Sequence, residues 1–163
     1  MIVVPSLLTA QAFAPFGAVL SRPDRPGRNY YDSTLENTRS GAKTSLSIVH
    51  VLPSTVEILD VTTLERHPYS SQTFLPFDGG RWLIVVCPTR DDGTPDGVNA
   101  CAFLAGPQQA ISYRSGTWHH SLTVLDLPAS FGVIMWRDNS TDDEEFVDVH
   151  PFSVKIPPGE RTT

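Results

Sequence analysis

The chain is cut into short extended runs, and that punctuation limits its fold more than any other feature. GAVL (17–20), KTSLSIVHV (43–51), TVEILDV (55–61), LERH (64–67), QTFLPF (72–77), RWLIVVC (81–87), NACAFLA (99–105), QAISYR (109–114), HSLTVL (120–125), SFGVIMW (130–136) and EEFVDV (144–149) are rich in Val, Ile, Phe, Thr and Tyr. Gly, Pro, Asp or Asn separates most of them, drawn from 14 prolines and 11 glycines. Such runs favour the pleated, half-buried surface of a sheet, and no long stretch keeps apolar residues at helical spacing. The pattern predicts an all-β sandwich, jelly roll or closed barrel, with one short helix near residues 7–14 that the Thr9 region caps. A length of 163 residues suits one domain, 1–163, with its own core.

Charge narrows the partners. A formal net charge of −6, with no cluster of Lys or Arg, provides no basic stripe for nucleic acid or an anionic membrane. The start, MIVVPSLLTAQAFAPFG, has no positive leader and no apolar run of membrane-spanning length, which predicts a cytoplasmic chain. Cys87 and Cys101 fall on strands either side of a turn-rich segment. A cross-strand disulfide is sterically open, and reduced thiols are the expected state in the cytosol. The acidic run DNSTDDEEFVD (138–148) reads as a solvated turn. The polar stretch 21–43 is long for a loop in a compact domain and reads as a flap over a site.

Two places hold histidine in a setting fit for chemistry. In LERHPYSSQTF, strand alternation points Glu65 and His67 to one face and Arg66 to the other, before Pro68 bends the chain and Gln72 resumes the strand. In YRSGTWHH, His119 and His120 follow Gly116, and in a regular strand only one of them faces inward; the spacing selects His119. His50 and His150 read as packing residues. Glu-x-His, four residues, Gln resembles the first metal motif of the cupin superfamily, which has His-x-His, four residues, Glu. Gly-x-x-His at 116–119 resembles the second, with Arg114 where cupins carry proline. Glu65, His67, Gln72 and His119 thus occupy the four ligand positions, with a neutral amide at one of them. Glu65, His67 and His119 are the candidate ligands for any metal.

The departures agree with one branch. FAPFG (13–17), ERHP with SQ-x-F (65–74), LIVVCP (83–88), YR-x-G-x-WHH (113–120) and the late acidic segment resemble the ureidoglycolate lyase family over residues 11 to 150. The resemblance implies a cupin-type jelly-roll β-barrel, a homodimer, and an enzyme of allantoin and purine breakdown that splits ureidoglycolate into glyoxylate and urea. For the cofactor it leaves two expectations open, none or a divalent metal with nickel among the candidates.

That reaction needs a hydroxyl proton removed and the departing nitrogen protonated, tasks suited to imidazole. His67 or His119 is the expected base, and the other histidine, or Glu65 in its protonated form, the expected acid. Gln72 is expected to hold the ureido or carboxylate group. Arg114 is expected to clamp the carboxylate, with Arg66, Lys43 or a bound divalent metal as competitors. Trp118 and Phe74 are expected to supply apolar wall, and His120 and, from the long loop, Tyr30 to reach the substrate. Two other classes stay open: a metal-dependent oxygenase, and a non-catalytic sensor or carrier of a small carboxylic acid.

Overall fold

The computed structural model describes residues 1–159; the last four residues of the expected 1–163 domain lie outside it. Thirteen strands form two curled sheets. They are β1 (Ile2–Val3), β2 (Ser6–Leu7), β3 (Gly17–Leu20), β4 (Lys43–Val51), β5 (Ile58–Arg66), β6 (Gln72–Pro76), β7 (Trp82–Cys87), β8 (Cys101–Ala105), β9 (Ala110–Tyr113), β10 (Trp118–His119), β11 (Thr123–Val124), β12 (Ala129–Arg137) and β13 (Glu145–Lys155). The larger sheet runs β1-β13-β5-β10-β7-β8-β2, with β11 also on β7; the smaller runs β3-β9-β6-β12-β4. This is the expected all-β, jelly-roll architecture. One α-helix, α1 (Ala10–Phe13), precedes β3, and the Thr9 hydroxyl accepts from Ala12 N at 3.2 Å as its cap.

Two differences from the sequence reading concern strand length. TVEILDV and LERH are one strand, β5, because β13 pairs along its whole length. EEFVDV continues to Lys155 through an irregularity between Asp148 and Phe152. At the N-terminus, β1 and β2 pair in parallel with β13 and β8, too briefly to leave an alternation pattern.

Strand β7 explains the most apolar run in the chain. All six of its residues are buried. Trp82, Ile84 and Val86 face the space between the sheets, where they meet Phe74, Ile111, Tyr113, Phe131 and Val133 of the smaller sheet. Leu83, Val85 and Cys87 face the opposite way, against Leu64, Ala102, Trp118, Leu125 and Phe152. A strand covered on both faces loses its alternation and reads as continuous hydrophobe. The cysteines belong to different clusters, Cys87 to the outer and Cys101 to the edge of the inner one, and both are free. Burial, chiefly, pushes the Cys87 thiol up to about 12, so it packs as a neutral hydrophobe.

The inner core gives the first expected outcome. Phe131 is fully buried and meets Trp82 edge-on at 5.2 Å between ring centroids. Phe131→Ala should lower unfolding free energy by about 3–5 kcal/mol through lost burial and an unfilled cavity. The shift of the urea unfolding midpoint at constant m checks it.

Candidate active site

Strand pairing assembles the site. β10 is two residues long and lies between β5 and β7, with His119 opposite Glu65 on one side and Val86 on the other. That register sets His119 on the inner face beside Glu65 and turns its neighbour Trp118 to the outer cluster. His67 follows the end of β5, and its carbonyl accepts from Gly116 N at 2.7 Å, which ties the first histidine segment to the turn before the second. Gly116 has φ +76°, a left-handed conformation that glycine adopts without strain. Gln72 opens β6 opposite Tyr113 of β9 and shares the inner face with Phe74.

The two imidazoles are buried, 7% exposed for His67 and 1% for His119, with ring centroids 5.9 Å apart. Tyr113 stacks on His119 at 4.1 Å between centroids. His67 Nδ1 lies 2.6 Å from the Asp143 carbonyl oxygen, and His119 Nδ1 lies 2.8 Å from that of Thr117. A carbonyl only accepts, so each Nδ1 carries a proton, and Nε2 is the nitrogen of each ring left to exchange a proton or meet a ligand. Both Nε2 atoms are buried without a hydrogen-bond partner, as is Gln72 Oε1. Buried polar atoms of native proteins usually find a partner, and these three are free to take one from a ligand.

Glu65 Oε1 is 3.3 Å from His119 Nε2, an ion-pair contact longer than a strong charge-assisted hydrogen bond. Burial acts to raise the Glu65 carboxyl, the largest single influence. The hydrogen-bonding and charge of His119, with the charges of His67 and His120, outweigh it and hold the group below its ordinary value. Glu65 is therefore ionised at neutral pH, which disfavours it as the proton donor. Burial and the Glu65 charge push the Tyr113 phenol up, so it stays neutral. His120 gives its Nδ1 proton to Ser121 O at 3.0 Å; burial lowers its basicity, partly offset by that bond and by the Glu65 charge.

Three expected substrate contacts fall outside this cluster. Arg114 follows the inward Tyr113 and so points outward, where its guanidinium donates to Ala14 O at 3.2 Å and Pro15 O at 3.3 Å. It braces the segment after α1. Trp118 alternates with His119 and packs in the outer cluster; the Arg66 guanidinium lies 4.4 Å above its ring. Tyr30 is 71% exposed on the surface beside Arg28. Arg66 is outward as expected, bonded to Glu145 at 2.7 Å. His50 and His150 are exposed, not packed.

The long loop is a strap over part of its length. Glu36 bonds to Ser71 and Ser115, Thr38 to Tyr69, and Arg39 pairs with Asp138 and Asp143. Residues 36–39 therefore bind the turns that carry both histidines. Asp143 went unrecognised because it sits in an acidic run that reads as solvated, yet it is 5% exposed. Its partners lie more than 70 residues away, and local pattern carries no trace of them. Tyr113 was missed as well, although its alternation with Arg114 in the same strand pointed it inward.

The donor types of Glu65, His67 and His119 suit a divalent metal, but their placement does not. Among the described residues, no three His, Cys, Asp or Glu side chains gather closely enough to share an ion, and Gln72 is a weak fourth donor. Nor is any helix among them long and apolar enough to cross a membrane.

Comparison with known proteins agrees with the geometry. The family model described as ureidoglycolate lyase matches residues 1–155. A protein of Agrobacterium fabrum, provisionally named for that activity, is 37% identical over 150 residues, which cover 91% of this chain and 92% of the relative. The ureidoglycolate lyase of Mesorhizobium japonicum is 33% identical over 162 residues, covering 92% and 95%. That of Schizosaccharomyces pombe is 28% identical over 163, covering 84% and 85%. With the paired histidines, the adjoining glutamate and the inward glutamine all in one jelly-roll interior, the chain belongs to the ureidoglycolate lyase family.

Proposed function

We propose that this protein is an enzyme that cleaves ureidoglycolate to glyoxylate and urea, a step of allantoin and purine breakdown. One observation carries the reading: two buried imidazoles, each with Nδ1–H fixed on a backbone carbonyl, present unpartnered Nε2 atoms beside an ionised glutamate.

The reacting carbon bears a hydroxyl, a carboxylate, a hydrogen and the ureido nitrogen. His67 Nε2 accepts the hydroxyl proton as the oxygen's electrons form the C=O bond of glyoxylate and the C–N bond breaks toward nitrogen. His119, protonated on Nε2 and facing the Glu65 carboxylate, returns a proton to that nitrogen, which leaves as urea. Glu65 balances the imidazolium while it holds the proton, an interaction strengthened by the low local dielectric. Gln72 Oε1 accepts from a ureido N–H, filling a bonding capacity the folded chain leaves open. With Arg114 turned away, the positive charge that this cluster offers the carboxylate is that of imidazolium. His120, near enough to Glu65 to feel its charge, stands at the less buried side of the group. No step passes through a metal, because the candidate ligands do not converge.

The reading includes a cytoplasmic homodimer. Free cysteines suit a reducing compartment. Leu46 and Ile48, 69% and 71% exposed on the edge strand β4, are an apolar surface suited to pairing.

Coupled assays for glyoxylate and urea from racemic ureidoglycolate test the activity directly. Thermal stabilisation by substrate without product release would instead make the protein a carrier. His67→Asn and His119→Asn should each keep the folded circular dichroism spectrum and lose about 10²–10⁴-fold in kcat. Arg114→Gln should keep kcat/KM within about threefold, whereas a carboxylate clamp would lose far more. Its stability should fall by about 1–2 kcal/mol, from the two lost carbonyl contacts.

The depressed Glu65 carboxyl also fixes a sign. Such a group contributes stability above its unfolded value, about 4.3, and loses it as pH falls through the lower folded value. The excess unfolding free energy of the wild type over Glu65→Gln should therefore shrink as pH is lowered from about 5 to about 2 in urea titrations. An excess that grows toward acid would contradict the ionised assignment.

A further inference from the structure

We infer that Asp143 is a positioning residue that sets the tautomer and aim of His67, and that Arg39 of the strap 36–39 holds Asp143 in place. This deepens the proposed lyase reading and rests on its use of His67 Nε2 as the base.

Four contacts converge on residue 143. Its main-chain carbonyl accepts the His67 Nδ1 proton at 2.6 Å. Its carboxylate accepts from Tyr69 N at 2.8 Å on one oxygen, and from the Ser70 hydroxyl on the other. Arg39 Nη2 lies 3.0 Å from that second oxygen. The turn that follows His67 is thus bonded to the side chain of the same residue whose carbonyl orients the ring. Both ends of the His67–Ser70 segment are held by one residue, a closed arrangement that leaves the imidazole little freedom to rotate or change tautomer.

Charge explains why an aspartate sits there. A buried carboxylate with two neutral donors still lacks a counterion, and Arg39, only 13% exposed at its side chain, provides one. Arg39 is fixed in turn by Asp138 at 2.8 Å and by Trp136 O at 2.9 Å. The order of dependence runs from strap to carboxylate to carbonyl to imidazole. If Nδ1 lost its acceptor, the proton could reside on either nitrogen, and rings with Nε2 protonated could not accept the hydroxyl proton. The strap is then part of the base's support, not a lid over the substrate.

The test pairs kinetics with a signature that needs no turnover. Imidazole ¹⁵N shifts, recorded about two pH units above the ordinary histidine value and assigned by loss of the His67 signals in His67→Asn, report the tautomer. Wild type should show His67 wholly as the Nδ1–H form. Asp143→Ala should show a tautomer mixture, with kcat reduced roughly 10- to 100-fold and KM within about threefold, as expected for a mispositioned group. Asp143→Asn and Arg39→Gln, which disturb the packing less, should lie between. Asp138→Asn removes the other acid partner of Arg39 while keeping the side chain's shape and the direct Arg39–Asp143 pair, and should shift tautomer and kcat less than Asp143→Asn does. Asp143→Ala, or Asp143→Asn if the alanine variant does not fold, with His67 still wholly Nδ1–H overturns the inference whatever the rate. So does an Asp138→Asn variant that matches Asp143→Asn in tautomer and rate. A wild type inactive on ureidoglycolate but with the expected tautomer response would count against the lyase reading and leave the positioning role standing.

Discussion

Two residues of strand pairing hold the site together. β10 contributes only Trp118 and His119, yet these link β5 to β7 in the middle of the larger sheet. Side chains alternate, so a slip of one residue would send His119 to the outer face and Trp118 into the interior. Everything chemical here follows from that register: the 3.3 Å approach of Glu65 to His119, the stack of Tyr113 on the same ring, and the facing of both imidazoles. The six buried residues of β7 make the register costly to change, because both of its faces are filled.

Within that frame the chain assigns its protons through the backbone. Both histidines spend Nδ1–H on main-chain carbonyls, which side-chain substitution cannot remove but which moves with its segment. The interior is left with acceptors: two Nε2 atoms, Gln72 Oε1 and an ionised carboxylate. Such a cluster has more lone pairs than donors, and it is completed by a ligand that brings hydroxyl and ureido N–H groups, or by a proton held between His119 and Glu65. The reading as a proton-transfer site and the reading as an incomplete metal site begin from the same atoms. Convergence separates them, and the three candidate ligands lack it.

Much of the fold was legible because period-2 alternation and turn residues are local. The eleven extended runs, the Thr9 cap and the outward Arg66 follow from neighbours in sequence. In the site, Glu65, His67, Gln72 and His119, singled out by spacing, share one interior, while Arg114, Trp118 and Tyr30 lie outside that cluster. Arg114 and Trp118 were assigned by chemical suitability against their own strand parity, and the structure follows parity. Asp143 was illegible for a different reason. Its burial is produced by Arg39, Ser70 and His67, which reach it only after the sheets have formed.

The outward residues of the two motifs are not idle. Arg66 stacks on Trp118, and both donate to the Gly93 carbonyl at 3.1 Å. The inward residues of the same motifs, Glu65 with His67 and His119, are the ones that meet inside. A partly buried cation–π contact contributes on the order of 1 kcal/mol, and it is available only in the register that brings Glu65 opposite His119. ERH and WHH therefore each carry two messages on alternate side chains. One face supplies the groups of the candidate site, and the other favours the strand pairing that brings them together. Arg114 follows the same division: it faces outward, bonds the carbonyls of Ala14 and Pro15, and anchors the chain leaving α1 while Tyr113 beside it covers His119. Strand parity is what separates such outward residues from the inward groups of the same motif.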